Sequence, residues 1–145
     1  MTPTIRQADG ERGSVTLELA ILAPAVLALL GLVIVAGRVE VAGGAVEHAS
    51  AAAAREASLA RTPEAARQAA TRAAMVNLAE QDLHCTSVDV TVDTSGFSVP
   101  VGRPALVSAR VTCTVGLSDI GVPGMPGSRT LTARSDSVLD QFRSR

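Results

Sequence analysis

Two cysteines, two histidines and a lone acid at the mouth of an apolar run are the side chains of this 145-residue sequence whose placement could carry chemistry. Cys85 and Cys113 suffice for one disulfide and are too few for a four-cysteine zinc site. His48 and His84 lie far apart and lack ligand-like neighbours, so both read as surface or junction residues and no metal is expected. No His–acid pairing accompanies either cysteine, which argues against a nucleophilic thiol. Every basic residue is Arg, so no Lys exists to complete a phosphate-binding loop, and HExxH and CxxC are missing. Acids are scattered singly along the chain. The sequence predicts no enzyme activity and no cofactor.

Composition narrows the classes further. Apolar residues make up 47% and aromatics 1%, with no Trp or Tyr and only Phe97 and Phe142 as rings. A core must then be built from Ala, Val and Leu, which bury less area per residue than aromatics do. The net charge of −1 supplies no field for nucleic acid, and stacking rings are nearly missing, so no nucleic-acid partner is expected.

One charge-free stretch stands apart. Residues 19–37 read LAILAPAVLALLGLVIVAG, 19 residues without a charge. As a helix this is about 28 Å long, close to the hydrocarbon thickness of a bilayer. Pro24 lies inside it. In lipid the freed backbone groups are re-satisfied locally, so the helix is expected to continue with a kink. A cleaved secretory signal is a competing reading, with Val35-Ala36-Gly37 as a passable cut site, although such apolar regions run only about 7–15 residues. Arg6 and Arg12 before the stretch balance Arg38 and Arg55 after it, so basic residues do not set the orientation.

The lone acid is Glu18, at the threshold of that stretch. One reading makes it an interfacial carboxylate near a helix start, where the dipole favours an acid. The residues before it suggest a second. Gly13-Ser14-Val15-Thr16-Leu17-Glu18 resembles the processing signal of type IV pilin-like proteins, in which a charged leader ends in Gly and Glu is the fifth residue after the cut. More closely, the run is similar to the TadE-like family, minor pilins or pseudopilins of tight-adherence (Flp-type) pilus systems. The resemblance implies cleavage between Gly13 and Ser14 by a prepilin peptidase. It implies that Glu18 is the assembly carboxylate, neutralising the freed N-terminus of a neighbouring subunit, since neither charge is stable alone in lipid. The partners implied are the major pilin, other minor pilins, the pilus assembly platform and its ATPase, and the lipid bilayer.

The following stretch, residues 38–61, is rich in Ala, the best helix former, and meets no Pro before Pro63. The helix is therefore expected to run from Ser14 to about Ala60, with Gly43-Gly44 as its weak point. Ala45, Ala49, Ala53 and Ala57 recur every fourth residue and form a smooth helix-packing seam for a neighbouring subunit or a second helix. Thr62-Pro63-Glu64 is a restart signal, with Thr62 as cap and Pro63 in the first turn. A second helix is expected over residues 63–80, burying Ala66, Ala70, Ala73, Met75 and Leu78 and leaving Arg67 and Arg72 in solvent.

Beyond it the period changes to two. Val88, Val90 and Val92 alternate with polar residues, then Val107, Ala109, Val111, Cys113 and Val115, and lastly Leu131 and Ala133. Residues 98–104 and 120–128 read as loops. Cys85 and Cys113 are expected to pair, contributing about 3.5 kcal/mol in the chain-entropy picture; two buried free thiols are the alternative. A lasting disulfide requires an oxidising compartment, which would put the C-terminal part outside the cytoplasm.

The fold expected is α+β: a long N-terminal helix, membrane-spanning in its first half, a second helix, and a small antiparallel sheet of about three strands. Residues 1–13 form a cytoplasmic leader, 14–37 a transmembrane helix, 38–61 its extracytoplasmic extension and 62–145 a small extracytoplasmic α+β domain. The function expected is a single-pass, non-enzymatic minor subunit or assembly adaptor of a tight-adherence pilus in the bacterial cell envelope. A membrane-anchored envelope binding module unrelated to pili and a secreted small domain are the competing readings.

Overall fold

A computed structural model describes residues 10–120, 124 and 126–142, with side chains from Glu18 onward. Helix α1 spans Gly10–Leu59 and α2 Pro63–Glu80. Strand β1 spans Cys85–Asp93, β2 Leu106–Gly116 and β3 Ser128–Val138. A 3-10 turn, Ser95–Ser98, follows β1, and a short helix α3, Leu117–Ile120, follows β2. The α+β class, the two helices and the three-stranded antiparallel sheet agree with the sequence reading.

By contacts the chain divides into Met1–Ala36 and Gly37–Arg145. In the first unit the described residues are helical throughout, and Pro24 sits inside α1 without ending it. The helix starts at Gly10, ahead of the Ser14 expected. Residues 1–9 of the anticipated leader lie outside the described residues.

The second unit is two layers. The sheet has the order β1-β2-β3, antiparallel throughout. Val111 lies between Val90 and Ala133, and Cys113 between Val88 and Leu131, so one face is apolar across all three strands. Val107, Ala109, Val111, Cys113 and Val115 are fully buried there. The same core holds Ala42, Val46, Ala49, Ala53 and Ala57 of α1 and Ala66, Ala70, Ala74 and Leu78 of α2. Methyl-sized side chains let the helices lie close on the sheet, which is how a chain with two rings fills its interior.

The ends of α2 follow from local chemistry. The Ala65 N–H donates to Thr62 Oγ1 (3.2 Å), and Pro63 occupies the first turn, where its missing N–H costs nothing. At the other end Asp82 adopts φ 55°, while the Leu83 N–H donates to the Leu78 carbonyl and the Asp82 N–H to that of Ala79. That is a Schellman stop with an Asp in the left-handed position.

Three details differ from the sequence reading. The buried row of α2 is Ala66, Ala70, Ala74 and Leu78, leaving Ala73 half-buried and Met75 exposed. β3 runs on to Val138, four residues past Arg134. Ile120, expected in an exposed loop, is buried at the end of α3; most of the loop after it lies outside the described residues.

Candidate functional site

The first candidate site is the approach to the apolar stretch. Gly13 and Ser14 fall within α1, but their side chains are outside the described residues. Glu18 is exposed and has no ion pair among the described residues. Beyond it, Leu19, Ile21, Leu22, Val26, Leu27, Leu29, Leu30, Leu32, Val33 and Ile34 are each at least 51% exposed. Covering ten such side chains is worth on the order of 10 kcal/mol or more at about 25 cal/mol per Å². An apolar surface of that extent marks contact with a membrane or a partner. The helix is long and apolar enough to cross a membrane.

The Ala45, Ala49, Ala53 and Ala57 seam takes a different place. All four are buried within this chain's own second unit, and three of them belong to the core shared by α2 and the sheet. The seam is thus filled from inside the chain. On the outer side of the two helices an open groove is floored by Ala52, Ala69 and Ala73 and edged by Arg55, Glu56 and Arg72.

Cys85 and Cys113 are joined by a disulfide, with Cα atoms 5.5 Å apart and a sequence separation of 28. The register shift between Cys85 and Ser87 sets the first cysteine diagonally from the second, because Cys113 itself faces Val88. The bond ties the start of β1, just past α2, to the middle of the sheet. His84 is exposed, 4.0 Å from Asp82, and His48 is exposed on α1. His84 and Cys85 lie side by side in one groove with Asp82 and Leu83, and no group of three metal-ligating side chains exists among the described residues.

The outer face of the sheet is polar and uncovered by any described element. Thr112 pairs with Thr132 (3.2 Å) and Thr114 with Thr130 (3.3 Å). Arg110 and Arg134 are register partners, a like-charge juxtaposition. Arg134 turns toward Ser108 (2.9 Å) and Asp136 (3.4 Å), and the Ser108 hydroxyl donates to Asp136. That hydroxyl, aided by Arg134, holds the Asp136 carboxyl below its ordinary value. At the end of β1 the Ser95 N–H donates to Asp93 Oδ1 (3.0 Å) and lowers Asp93 in the same way.

Sequence reasoning missed the link between α1 and β3. Ser50, fully buried, and Ser135 lie 2.7 Å apart, and the Ser137 hydroxyl donates to Ser58 (3.1 Å). Single serines such as these give no sequence signal of pairing.

The chain matches no curated protein and no solved structure. The family model described as TadE-like protein matches residues 13–55, so the segment from Gly13 through Glu18, the apolar stretch and most of the alanine seam is similar to that family, in agreement with the resemblance its residues carry.

Proposed function

We propose that this chain is a membrane-anchored, non-enzymatic, pilin-like protein that serves assembly of a tight-adherence pilus, as a minor subunit or an assembly adaptor. The observation that carries the reading is a coincidence of position. The TadE-like match begins at Gly13, and within it Glu18 opens directly onto ten exposed apolar side chains.

In this reading residues 19–37 span the bilayer, the N-terminus is cytoplasmic and the second unit is extracytoplasmic. The Cys85–Cys113 disulfide supports that orientation, because such bonds persist in oxidising compartments. A prepilin peptidase cuts between Gly13 and Ser14. The new α-ammonium then meets the Glu18 carboxylate of an adjacent subunit in a medium where either charge alone is costly. The partners are the major pilin, other minor pilins and the assembly platform with its ATPase.

The test is Glu18→Ala in cells that make the pilus. Insertion into membranes should be normal and recovery of the chain with sheared pili should be lost, while N-terminal sequencing of the wild-type protein reads Ser14 first. Wild-type chain that partitions as a soluble protein, or Glu18→Ala chain recovered with pili at the normal level, overturns the proposal.

A further inference from the structure

Within the second unit, the end of α2, the turn after it and the start of β1 form an open groove whose lining includes Met75, Leu78, Leu83, His84, Cys85 and Val88. Met75 and His84 are exposed, and Leu83, Cys85 and Val88 are half-buried, so the groove is reached from solvent. Cys85 is one end of the disulfide. The other end, Cys113, is fully buried on the central strand β2, where Val88 and Leu131 are its register partners. It belongs to the core that α1 and α2 cover.

This inequality decides which sulfur can react. Disulfides form and open by attack of a thiolate on a sulfur, through a mixed disulfide, and the rate depends on which sulfur is reached. Attack on Cys113 would bring the thiolate into a core packed with Val111 and Val115, where nothing is exposed beyond 1%. Attack on Cys85 comes from the groove, and the sulfur that leaves is the one already held in the core.

We propose that Cys85 is the thiol–disulfide exchange site of this protein: its sulfur, and not that of Cys113, carries the mixed disulfide with an external thiol. In closure the Cys85 thiolate attacks one sulfur of an external disulfide, bonds to it and releases the other as a thiolate. The Cys113 thiolate then attacks Cys85 Sγ, forms the internal bond and expels the second external thiolate. The two cysteines lose two electrons and two protons, and the external disulfide gains both. Opening runs the same steps backwards, with an external thiolate bonding to Cys85 and Cys113 leaving. That departure strands a negative charge among apolar side chains, which is costly, so the bond closes readily and opens slowly. The external thiol can be a small molecule or the cysteine of an oxidoreductase, since both bring the same thiolate.

This inference goes beyond the proposed function and needs neither cleavage nor Glu18. The test incubates the full wild-type chain in detergent micelles with reduced glutathione, and in parallel with a thioredoxin reduced to its attacking cysteine alone. Samples are quenched in acid, alkylated in denaturant and mapped by mass spectrometry. The adduct should sit on Cys85 at least about tenfold more often than on Cys113, which should carry the alkyl group. Whichever reagent reacts faster at equal thiolate concentration marks the source of the thiol. Single variants check the same asymmetry. In Cys113→Ala, Cys85 should take up oxidised glutathione in the folded state. In Cys85→Ala, Cys113 should react at least about a hundredfold more slowly, because the core must open first. Circular dichroism checks that each variant is folded; where one is not, the wild-type map alone decides. Adducts on Cys113 as abundant as on Cys85, equal rates in the two folded variants, or an adduct that forms only as the circular dichroism is lost overturns the proposal.

Discussion

Ser50 of α1 and Ser135 of β3 hold their hydroxyls 2.7 Å apart across 85 positions of sequence. Ser50 also donates to the Glu47 carbonyl (2.9 Å) and is fully buried while Ser135 is half-buried, so this bond joins the helical layer to an edge of the sheet at the margin of the core. A hydrogen bond of this kind contributes about 0.5–1.5 kcal/mol, and a buried partner left without one costs more. Ser50→Ala and Ser135→Ala should each destabilise the protein by about 1 kcal/mol in denaturant titrations. The double variant should lose clearly less than the sum, because the second change removes a group already orphaned by the first. Strict additivity would show that the two hydroxyls do not interact.

Removing the covalent tie should weigh more. With a sequence separation of 28 between Cys85 and Cys113, replacing both by Ala should cost about 3.5 kcal/mol, roughly 10–20 °C in melting temperature for a unit of this size. Melts of the wild-type protein with and without reductant should differ by a similar amount, and the Ala variant should be insensitive to reductant.

Gly96 is a site of close approach. A Cβ there would overlap the Leu106 carbonyl oxygen and stand 3.0 Å from Leu139 Cδ1, itself in one of the most deeply buried residues. Gly96→Ala should destabilise by about 1–3 kcal/mol through overpacking, read as a lower denaturant midpoint at unchanged slope. Gly102→Ala, where a Cβ meets open space, tests a different penalty, because its φ of 88° is strained for any side chain.

Acid should loosen the sheet by a route with a definite sign. The Ser95 N–H first, then the Ser95 hydroxyl and Arg134, hold Asp93 below its ordinary value of 3.8. The Ser108 hydroxyl and Arg134 hold Asp136 below the same value. A carboxyl whose folded-state pKa is depressed contributes stability that is fully present above the unfolded value and is lost as pH falls through the folded one. Melting temperature should therefore respond to these two groups only below about pH 4. Asp93→Asn and Asp136→Asn should each flatten that acid limb. An unchanged limb in both variants would place the acid sensitivity elsewhere.

Legibility in the sequence followed the strength of the local signal. Strand β2 alternates without exception from Val107 to Val115, and its inward set is the buried set. The start of α2 is spelled out by Thr62 and Pro63. Alanine made the rest of α2 ambiguous, since Ala73 and Ala74 are alike in sequence and only packing decides that the fourth-residue row faces inward. The second half of β3 was hidden because Ser135, Asp136 and Ser137 are polar on both faces; the inward serines are matched by serines of α1, a partnership no local pattern reveals. In the candidate site, the run from Gly13 to Glu18 was readable because it is contiguous. A second helix over the alanine seam was one of the two covers its spacing offered, whereas the contact of α1 with β3 depends on tertiary packing and stayed out of reach.

The common direction of α1 and β3 has a mechanical consequence. Ser50–Ser135 and Ser58–Ser137 are spaced along two elements advancing the same way. Tension applied between the Gly37 end of α1 and the far end of β3 loads these contacts, and the methyl-lined packing between them, in shear. They then resist together instead of parting one by one as in a zipper. A unit built so yields less readily to a pull along α1 than to one that peels the helix from the sheet.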